Sequence, residues 1–159
     1  GAVRGGGAFQ EPLDPPPAGA ALRRAVRVSP EDDPRRIRFC ESVESAHSSH
    51  GDAARVAERL AIEAEPVRLD SQTKYAVVAR GEAEAYLRLP KSADYVEKIW
   101  DHAAGWLVVT EAGGRVSDVR GRPLEFHHGR TLAANRGVIA STGGVHDAIL
   151  GAIADLGIS

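Results

Sequence analysis

Apolar and polar residues alternate with two different periods along most of this chain, and the two periods predict strands and helices in turn. Period-two alternation over short segments predicts strands. These strand segments are AVRV at 25–28, RIRFCESV at 36–43, AEAYLRLP at 83–90 and GVIAST at 137–142. Two further strands, RVSDV at 115–119 and PLEF at 123–126, are predicted around the turn RGRP.

Apolar residues at helical spacing predict four helices. The first covers 51–65, and the second begins near a cap at Asp70 or Ser71 and stops at Gly81. The third covers 99–114, with Gly113 or Gly114 ending it, and the fourth covers 145–157. Since strands alternate with helices, the pattern favours an α/β fold in which helices pack on a layered sheet.

Composition limits the classes of function. A chain of 159 residues with a net charge of -2 fits one globular domain and lacks the basic surface that binding of polymeric nucleic acid requires. A single cysteine excludes an internal disulfide, and no apolar run is long enough to cross a membrane. With no secretory signal at its start, the sequence predicts a soluble cytoplasmic protein, an organellar location being the alternative.

The stretch WDHAAG at 100–105, followed by EAGG at 111–114, contains the first candidate site residue. Asp101 stands near the start of the third predicted helix, where an aspartate either caps the helix or binds a ligand. The small residues at 103–105 predict open space around this turn, which would let another backbone or a phosphate come close. On the second interpretation Asp101 is a ligand of a hard divalent cation such as Mg²⁺.

The segment HSSH at 47–50 places two histidines three residues apart. A zinc site is a weak interpretation, because zinc needs further ligands and the cysteine is isolated in sequence. The segment then either contacts a polar ligand or forms a polar helix entry capped by Ser48 or Ser49.

Ser71, Lys74 and Arg88 are candidates for phosphate binding. Ser71 and Lys74 lie one turn apart at the predicted start of the second helix, where backbone N–H groups favour anions. Arg88 ends a predicted strand and offers a planar fork for phosphate oxygens. Each residue taken alone is better explained as a solvated surface charge, but as a set beside Asp101 they predict a phosphate pocket.

Four segments together resemble one family. They are FCESVESAHSSH at 39–50, LDSQTKYAVVARGEAEAYLRLP at 69–90, EKIWDHAAGWLVVTEAGGRVSD at 97–118 and GRTLAANRGVIAS at 129–141. They resemble the fungal and plant-type 3'(2'),5'-bisphosphate nucleotidases, lithium- and sodium-sensitive members of the inositol monophosphatase superfamily. The motifs WDHAAG and EAGG are typical of the superfamily, whereas HSSH, LDSQTKY and YLRLP indicate the nucleotidase branch.

The resemblance implies a layered sheet-and-helix C-terminal domain of the inositol monophosphatase-like (sugar phosphatase) fold. In this interpretation residues 1–35 are the end of an N-terminal domain and a proline-rich linker. Residues 36–159 are the C-terminal α/β domain that binds the nucleotide phosphates.

The resemblance also implies roles for individual residues. Asp101 corresponds to a metal ligand, and His47, Ser71, Lys74 and Arg88 correspond to contacts of adenosine 3',5'-bisphosphate. The implied reaction is the Mg²⁺-dependent removal of the 3'-phosphate, giving AMP and phosphate. The sulfated analogue, 3'-phosphoadenylyl sulfate, is a second implied substrate and links the family to sulfur assimilation and salt tolerance.

The sequence departs from the family pattern at its N-terminal side. The family's upstream glutamate and its DPIDGT-like metal motif are absent, and the chain contains no methionine. We therefore expect a C-terminal part whose intramolecular partner is the missing N-terminal domain, with little or no phosphatase activity alone. The alternatives are an inositol phosphate phosphatase of the same superfamily and a non-catalytic nucleotide-binding module.

Overall fold

A computed structural model describes residues 1–14, 23–43, 50–90, 92 and 94–158 of the chain. The strands are β1 (Ala2–Val3), β2 (Gly7–Gln10), β3 (Arg24–Ala25), β4 (Phe39–Glu41), β5 (Val67–Arg68), β6 (Ala85–Arg88), β7 (Arg115–Ser117) and β8 (Val138–Ser141). The helices are α1 (His50–Arg59), α2 (Thr73–Ala79), α3 (Ile99–Glu111) and α4 (His146–Asp155). No helix in the described part of the chain combines the length and apolar character needed to cross a membrane.

The larger sheet has the strand order β5-β4-β6-β8-β7. Strand β4 pairs in parallel with both β5 and β6, whereas β8 runs antiparallel to β6 and β7. The predicted α/β class, with helices layered on a sheet, is confirmed.

Apolar side chains of this sheet point alternately to its two faces and form a core on each. Tyr86 and Ala140 belong to one core, which also contains apolar residues of α2 and α3. Leu87 and Ile139, their neighbours along the strands, belong to the other core, together with residues of α1 and α4. The sheet is therefore the middle of three layers.

The N-terminal segment forms a smaller antiparallel sheet, β1-β2-β3, that is tied to the end of α3. The Glu111 carboxylate accepts hydrogen bonds from the backbone N–H of Gly5 at 2.8 Å and of Gly7 at 2.9 Å. Both glycines have positive φ, which a side chain would disfavour. The hairpin between β1 and β2 is thus fixed to the helix by one carboxylate.

Several strands are shorter than their predicted segments. The predicted strand at 25–28 overlaps β3 only at Ala25, because the two following valines bond to different partners. Val26 N–H donates to the Ala8 carbonyl, and Val28 N–H donates to the Ala112 carbonyl of the α3 terminus. Strand β5 was not predicted, since two residues are too few for a periodic pattern.

The prediction that the first helix extends to residue 65 is wrong, because α1 ends at Arg59. Ala61 adopts a positive φ of 54°. The N–H of Ile62 donates to the Ala57 carbonyl, and the N–H of Ala61 donates to the Glu58 carbonyl, which is the bonding pattern of a Schellman motif. Ala61 occupies the position that glycine usually takes, so the sequence carried no stop signal there.

The predicted strand at 123–126 is also absent from the structure. The Asn135 side chain takes the place of a neighbouring strand. Its Oδ1 accepts from the N–H of Glu125 at 2.8 Å, and its Nδ2 donates to the Pro123 carbonyl at 2.9 Å. One amide therefore satisfies backbone groups that a strand ladder would otherwise pair.

The small residue at 105 has a different role from the one predicted. A Cβ on Gly105 would lie 2.2 Å from Cδ2 of Tyr75, a side chain that is fully buried between α2 and α3. The Tyr75 ring also packs edge-on against Tyr86, with ring centroids 5.1 Å apart. The space beside Gly105 is filled by an aromatic ring and is not open to a phosphate.

Replacing Gly105 by alanine is expected to lower the free energy of unfolding by about 1–3 kcal/mol, because the new methyl group overlaps the Tyr75 ring. Gly151→Ala is the matched control, since Gly151 lies inside α4 with no atom within 4 Å of its ideal Cβ. The free energy of unfolding of that variant should rise by up to about 1 kcal/mol, because alanine has a higher helix propensity than glycine. Urea unfolding monitored by circular dichroism measures both, and equal effects of the two substitutions would contradict the packing argument.

Candidate active site

A cleft of about 360 Å³ opens beside the larger sheet. It brings together four of the five site residues predicted from the sequence, Ser71, Lys74, Arg88 and Asp101. The fifth, His47, lies outside the described residues, as do Ser48 and Ser49 of the HSSH segment. The rest of the cleft lining consists of Ser42, Asp70, Gln72, Tyr86, Glu97 and His102.

The topology of the sheet explains why these residues meet. Strands β4, β5 and β6 are parallel, so their carboxyl ends lie at the same edge. Ser42 follows β4, Asp70 follows β5 by two residues, and Arg88 is the last residue of β6. Ligands of open α/β sheets bind at this edge, where loops after successive strands converge.

Lys74 is a buried cation at the cleft, with 3% of its surface exposed. Its Nζ donates to Ser42 Oγ at 3.0 Å and to the Leu69 carbonyl at 3.3 Å, and it lies 5.3 Å from the centroid of the Tyr86 ring. Burial lowers the pKa of Lys74. Because an ammonium has three N–H donors, these two hydrogen bonds leave one for a ligand, as far as the described residues show.

Ser71 lies at the turn that leads into α2 and adopts a positive φ of 71°. Its Oγ accepts from the N–H of Thr73 at 3.2 Å and is 2.8 Å from Thr73 Oγ1. The cap position of α2 is Gln72, which makes no side-chain cap hydrogen bond, so neither Asp70 nor Ser71, the two predicted caps, occupies it. The Asp70 carboxylate accepts from the N–H of Val43 instead. A non-glycine residue in this conformation costs of order 1–3 kcal/mol, and such residues cluster at ligand sites.

Arg88 is held by a chain of hydrogen bonds that sequence analysis did not predict. Arg88 Nε donates to Glu97 Oε1 at 3.1 Å, and Glu97 Oε2 is 2.9 Å from His102 Nε2. His102 Nδ1 is 2.7 Å from the Tyr75 hydroxyl. A His102 ring that donates from Nε2 and accepts at Nδ1 fits both of its contacts, so these hydrogen bonds fix the guanidinium at the cleft.

Burial and neighbouring charges determine the protonation states of the ionisable side chains near the cleft. Burial opposes ionisation of Glu97, but the hydrogen bond from His102 and the charge of Arg88 outweigh it, so the pKa of Glu97 lies below its ordinary value of 4.5. Burial raises the pKa of the Tyr75 hydroxyl well above its ordinary value, so Tyr75 keeps its proton and donates it. Burial likewise raises the pKa of the Cys40 thiol to about 12, which excludes it as a nucleophile near neutral pH.

Asp101 lies in the first turn of α3 and is partly exposed to the cleft. The residue at the cap position is Lys98, and α3 has no side-chain cap hydrogen bond. Within the described part of the chain, the Asp101 carboxylate takes part in no hydrogen bond or salt bridge. Capping, the first interpretation of Asp101, is therefore not observed, and the residue lines the cleft instead.

Glu97, His102 and Tyr75 had no recognisable signal in the sequence. His102 stands inside WDHAAG, directly after Asp101, yet its partners come from α2 and from the segment before α3. Glu97 is nine residues from Arg88 and outside any predicted element.

Residues 1–157 match the inositol monophosphatase family model. The chain is 48% identical over 153 residues to a 3'(2'),5'-bisphosphate nucleotidase of Emericella nidulans, covering 96% of this chain and 43% of that protein. It is also 44% identical to a protein of the same name from Schizosaccharomyces pombe, a match that covers 96% of this chain and 42% of that protein. The match to the protein of that name from Oryza sativa is 44% identical as well and covers 97% of this chain and 41% of that protein. The chain thus spans less than half the length of these relatives.

Solved structures of the same family share the fold. An IMPase of Thermotoga maritima superimposes with a TM-score of 0.63 at 21% identity, covering 84% of this chain and 46% of that one. The extragenic suppressor protein suhB of Bartonella henselae superimposes with a TM-score of 0.62 at 23% identity, covering 82% of this chain and 46% of that one. The fold implied by the sequence resemblance is therefore confirmed.

Replacing Glu97 by glutamine is expected to lower the free energy of unfolding at pH 7 by about 1–3 kcal/mol, since Arg88 loses a buried partner. Because the pKa of Glu97 is lowered by folding, its contribution is present above pH 4.5 and is lost as the pH falls through the folded-state pKa. The difference between Glu97→Gln and wild type should therefore shrink on acidification.

Glu82→Gln is the control, because Glu82 forms a more exposed pair with Arg80 and should change stability by no more than about 0.5 kcal/mol. Urea unfolding at several pH values between 7 and 3 measures both variants. The proposed role of the Glu97–Arg88 pair would be contradicted if Glu97→Gln changed the free energy of unfolding as little as Glu82→Gln does. A change that did not depend on pH would contradict it as well.

Proposed function

The chain belongs to the inositol monophosphatase family, and we propose that the protein containing it is a 3'(2'),5'-bisphosphate nucleotidase. The proposed reaction is hydrolysis of the 3'-phosphate of adenosine 3',5'-bisphosphate, giving AMP and phosphate. The sulfated analogue, 3'-phosphoadenylyl sulfate, is a second proposed substrate. The observation that carries the proposal is that one cleft is lined by two cations, Lys74 and Arg88, and by the carboxylate of Asp101, which has no partner among the described residues.

We assign phosphate binding to Lys74 and Arg88. Both are held rigidly by other side chains, so little conformational freedom is lost when a phosphate binds. Arg88 offers a planar fork that matches two phosphate oxygens, whereas Lys74 acts as a point charge. Ser71 contributes a hydroxyl at the cleft, and His47 is a further proposed contact of the nucleotide.

Asp101 fits a role as a ligand of Mg²⁺. Its carboxylate is partly exposed and has no partner in the part of the chain that the structure describes, and a hard divalent cation takes such oxygen donors. Asp101 lines the same cleft as Lys74 and Arg88, the proposed phosphate ligands. When bound, Mg²⁺ neutralises phosphate charge and lowers the pKa of a bound water. The residues of this chain orient the phosphate beside that ion.

The other carboxylates of the cleft are already engaged. Glu97 pairs with Arg88 and His102, and Asp70 accepts from the N–H of Val43. A two-metal phosphatase needs several carboxylates to hold its ions and align a water. We infer that further ligands come from an N-terminal domain, with residues 1–35 as its end and residues 36–159 as the nucleotide-phosphate-binding domain.

In the complete enzyme, Asp101→Asn is expected to lower kcat by about a hundredfold or more, which corresponds to roughly 3 kcal/mol. Nucleotide affinity should change much less, because Lys74 and Arg88 remain. Asp155→Asn is the control, since this carboxylate lies at the end of α4 and pairs with Arg59. Phosphate release at saturating Mg²⁺ measures turnover, and near-normal turnover of Asp101→Asn would contradict the metal role.

The 159-residue chain alone is expected to release no phosphate from adenosine 3',5'-bisphosphate with Mg²⁺, because Asp101 by itself holds the ion too weakly. Turnover comparable to that of a complete nucleotidase would contradict this. Calorimetry with the nucleotide, with and without Mg²⁺, distinguishes the alternatives: tight binding that needs no metal favours a non-catalytic module. Faster hydrolysis of inositol phosphates by the complete enzyme would favour the inositol phosphate phosphatase.

A further inference from the structure

We propose that Glu125, His127 and His128 form a binding site for a divalent transition-metal ion of the zinc type. The site shares no residue with the cleft, and the inference does not depend on the proposed function. Each of the three side chains offers one ligand atom, and these atoms all lie within 4.8 Å of one another. No other group of this kind is present among the described residues.

The distances fit a common ion. Glu125 Oε2 is 3.5 Å from His127 Nε2 and 2.6 Å from His128 Nε2. Zinc–ligand bonds of about 2.0–2.2 Å place neighbouring donors of a tetrahedron about 3.4 Å apart. Of the three donor pairs, Glu125–His127 already has this spacing. Glu125–His128 needs to open by less than about 1 Å. The ligand atoms of His127 and His128 lie within 4.8 Å of each other. With the ion on Nε2, His128 keeps its remaining proton on Nδ1.

The backbone around the three ligands is anchored on both sides. Leu124 is buried in the core, and the Phe126 ring packs edge-on against Trp106 of α3 with centroids 5.4 Å apart. The side chains of Glu125 and His127, on either side of Phe126, reach the same point, with Oε2 and Nε2 3.5 Å apart. Gly129, with a φ of 85°, turns the chain directly after His128.

The buried Asn135 fixes the start of the segment. Its Oδ1 accepts from the N–H of Glu125, and its Nδ2 donates to the Pro123 carbonyl. The ligand-bearing segment is thus held by a core residue, an aromatic pair and a side-chain amide. A site on a fixed segment loses less freedom when the ion binds than one on an unanchored loop.

The donor set selects the class of metal. Two imidazoles and one carboxylate suit Zn²⁺ and its neighbours Co²⁺, Ni²⁺ and Cu²⁺, whereas Mg²⁺ prefers oxygen ligands and water. The His127 side chain is 73% exposed, so the remaining coordination positions face solvent and take water. The site is therefore chemically distinct from a Mg²⁺ site at Asp101.

Zinc titration of the 159-residue chain at pH 7.5, in excess Mg²⁺, tests the proposal. Calorimetry and competition with a chromogenic chelator should give one Zn²⁺ per chain, and Zn²⁺ should raise the melting temperature by binding the folded state. His127→Ala and His128→Ala should each weaken Zn²⁺ binding by more than about tenfold, since even outer-shell partners of a metal contribute that much. Glu125→Gln should weaken it as well.

His50→Ala is the matched control, because it removes a histidine of the HSSH segment and should leave the zinc affinity unchanged. Circular dichroism of each variant checks that the fold is retained, which the surface position of the two histidines leads us to expect. Wild-type zinc affinity in the double variant His127→Ala/His128→Ala would overturn the proposal. So would loss of the site in His50→Ala, or competition by Mg²⁺.

Discussion

The hydrogen bond between the Tyr75 hydroxyl and His102 Nδ1 joins α2 to α3, and the geometry of the cleft depends on it. It forms only because residue 105 has no side chain, which lets the Tyr75 ring lie against the backbone of α3. From there the chain of contacts runs through His102 and Glu97 to the guanidinium of Arg88. The absence of a side chain at Gly105 thus helps to determine the position of the Arg88 guanidinium in the cleft.

Two kinds of constraint combine at the cleft. Parallel pairing of β4, β5 and β6 brings three chain segments to one edge of the sheet, whatever their side chains are. The buried side chains then decide which polar atoms remain available. Glu97 is paired with Arg88 and His102, whereas Asp101 has no protein partner among the described residues, although the two acids lie only four residues apart.

The sequence predicted well what depends on local periodicity. The central parts of β4, β6 and β8 and the end of α3 follow from alternation and from glycine signals, and Ser71, Lys74, Arg88 and Asp101 were recognised from motifs and line one cleft. The end of α1 was missed because Ala61 adopts a glycine-like conformation. The strand predicted at 123–126 was wrong because Asn135, from another segment, satisfies that backbone. Such interactions between distant residues leave no pattern in a single sequence.

Glu111 places a negative charge at the C-terminal end of α3, where the helix dipole is also negative. That arrangement is unfavourable unless the charge is compensated, and the N–H groups of Gly5 and Gly7 compensate it only while the hairpin is docked. The hairpin and the last turn of α3 are therefore coupled in opening and closing. The hairpin and the last turn of α3 then open as one cooperative unit. Since a helix of 13 residues is about 20 Å long, this unit lies at the opposite end of α3 from Asp101.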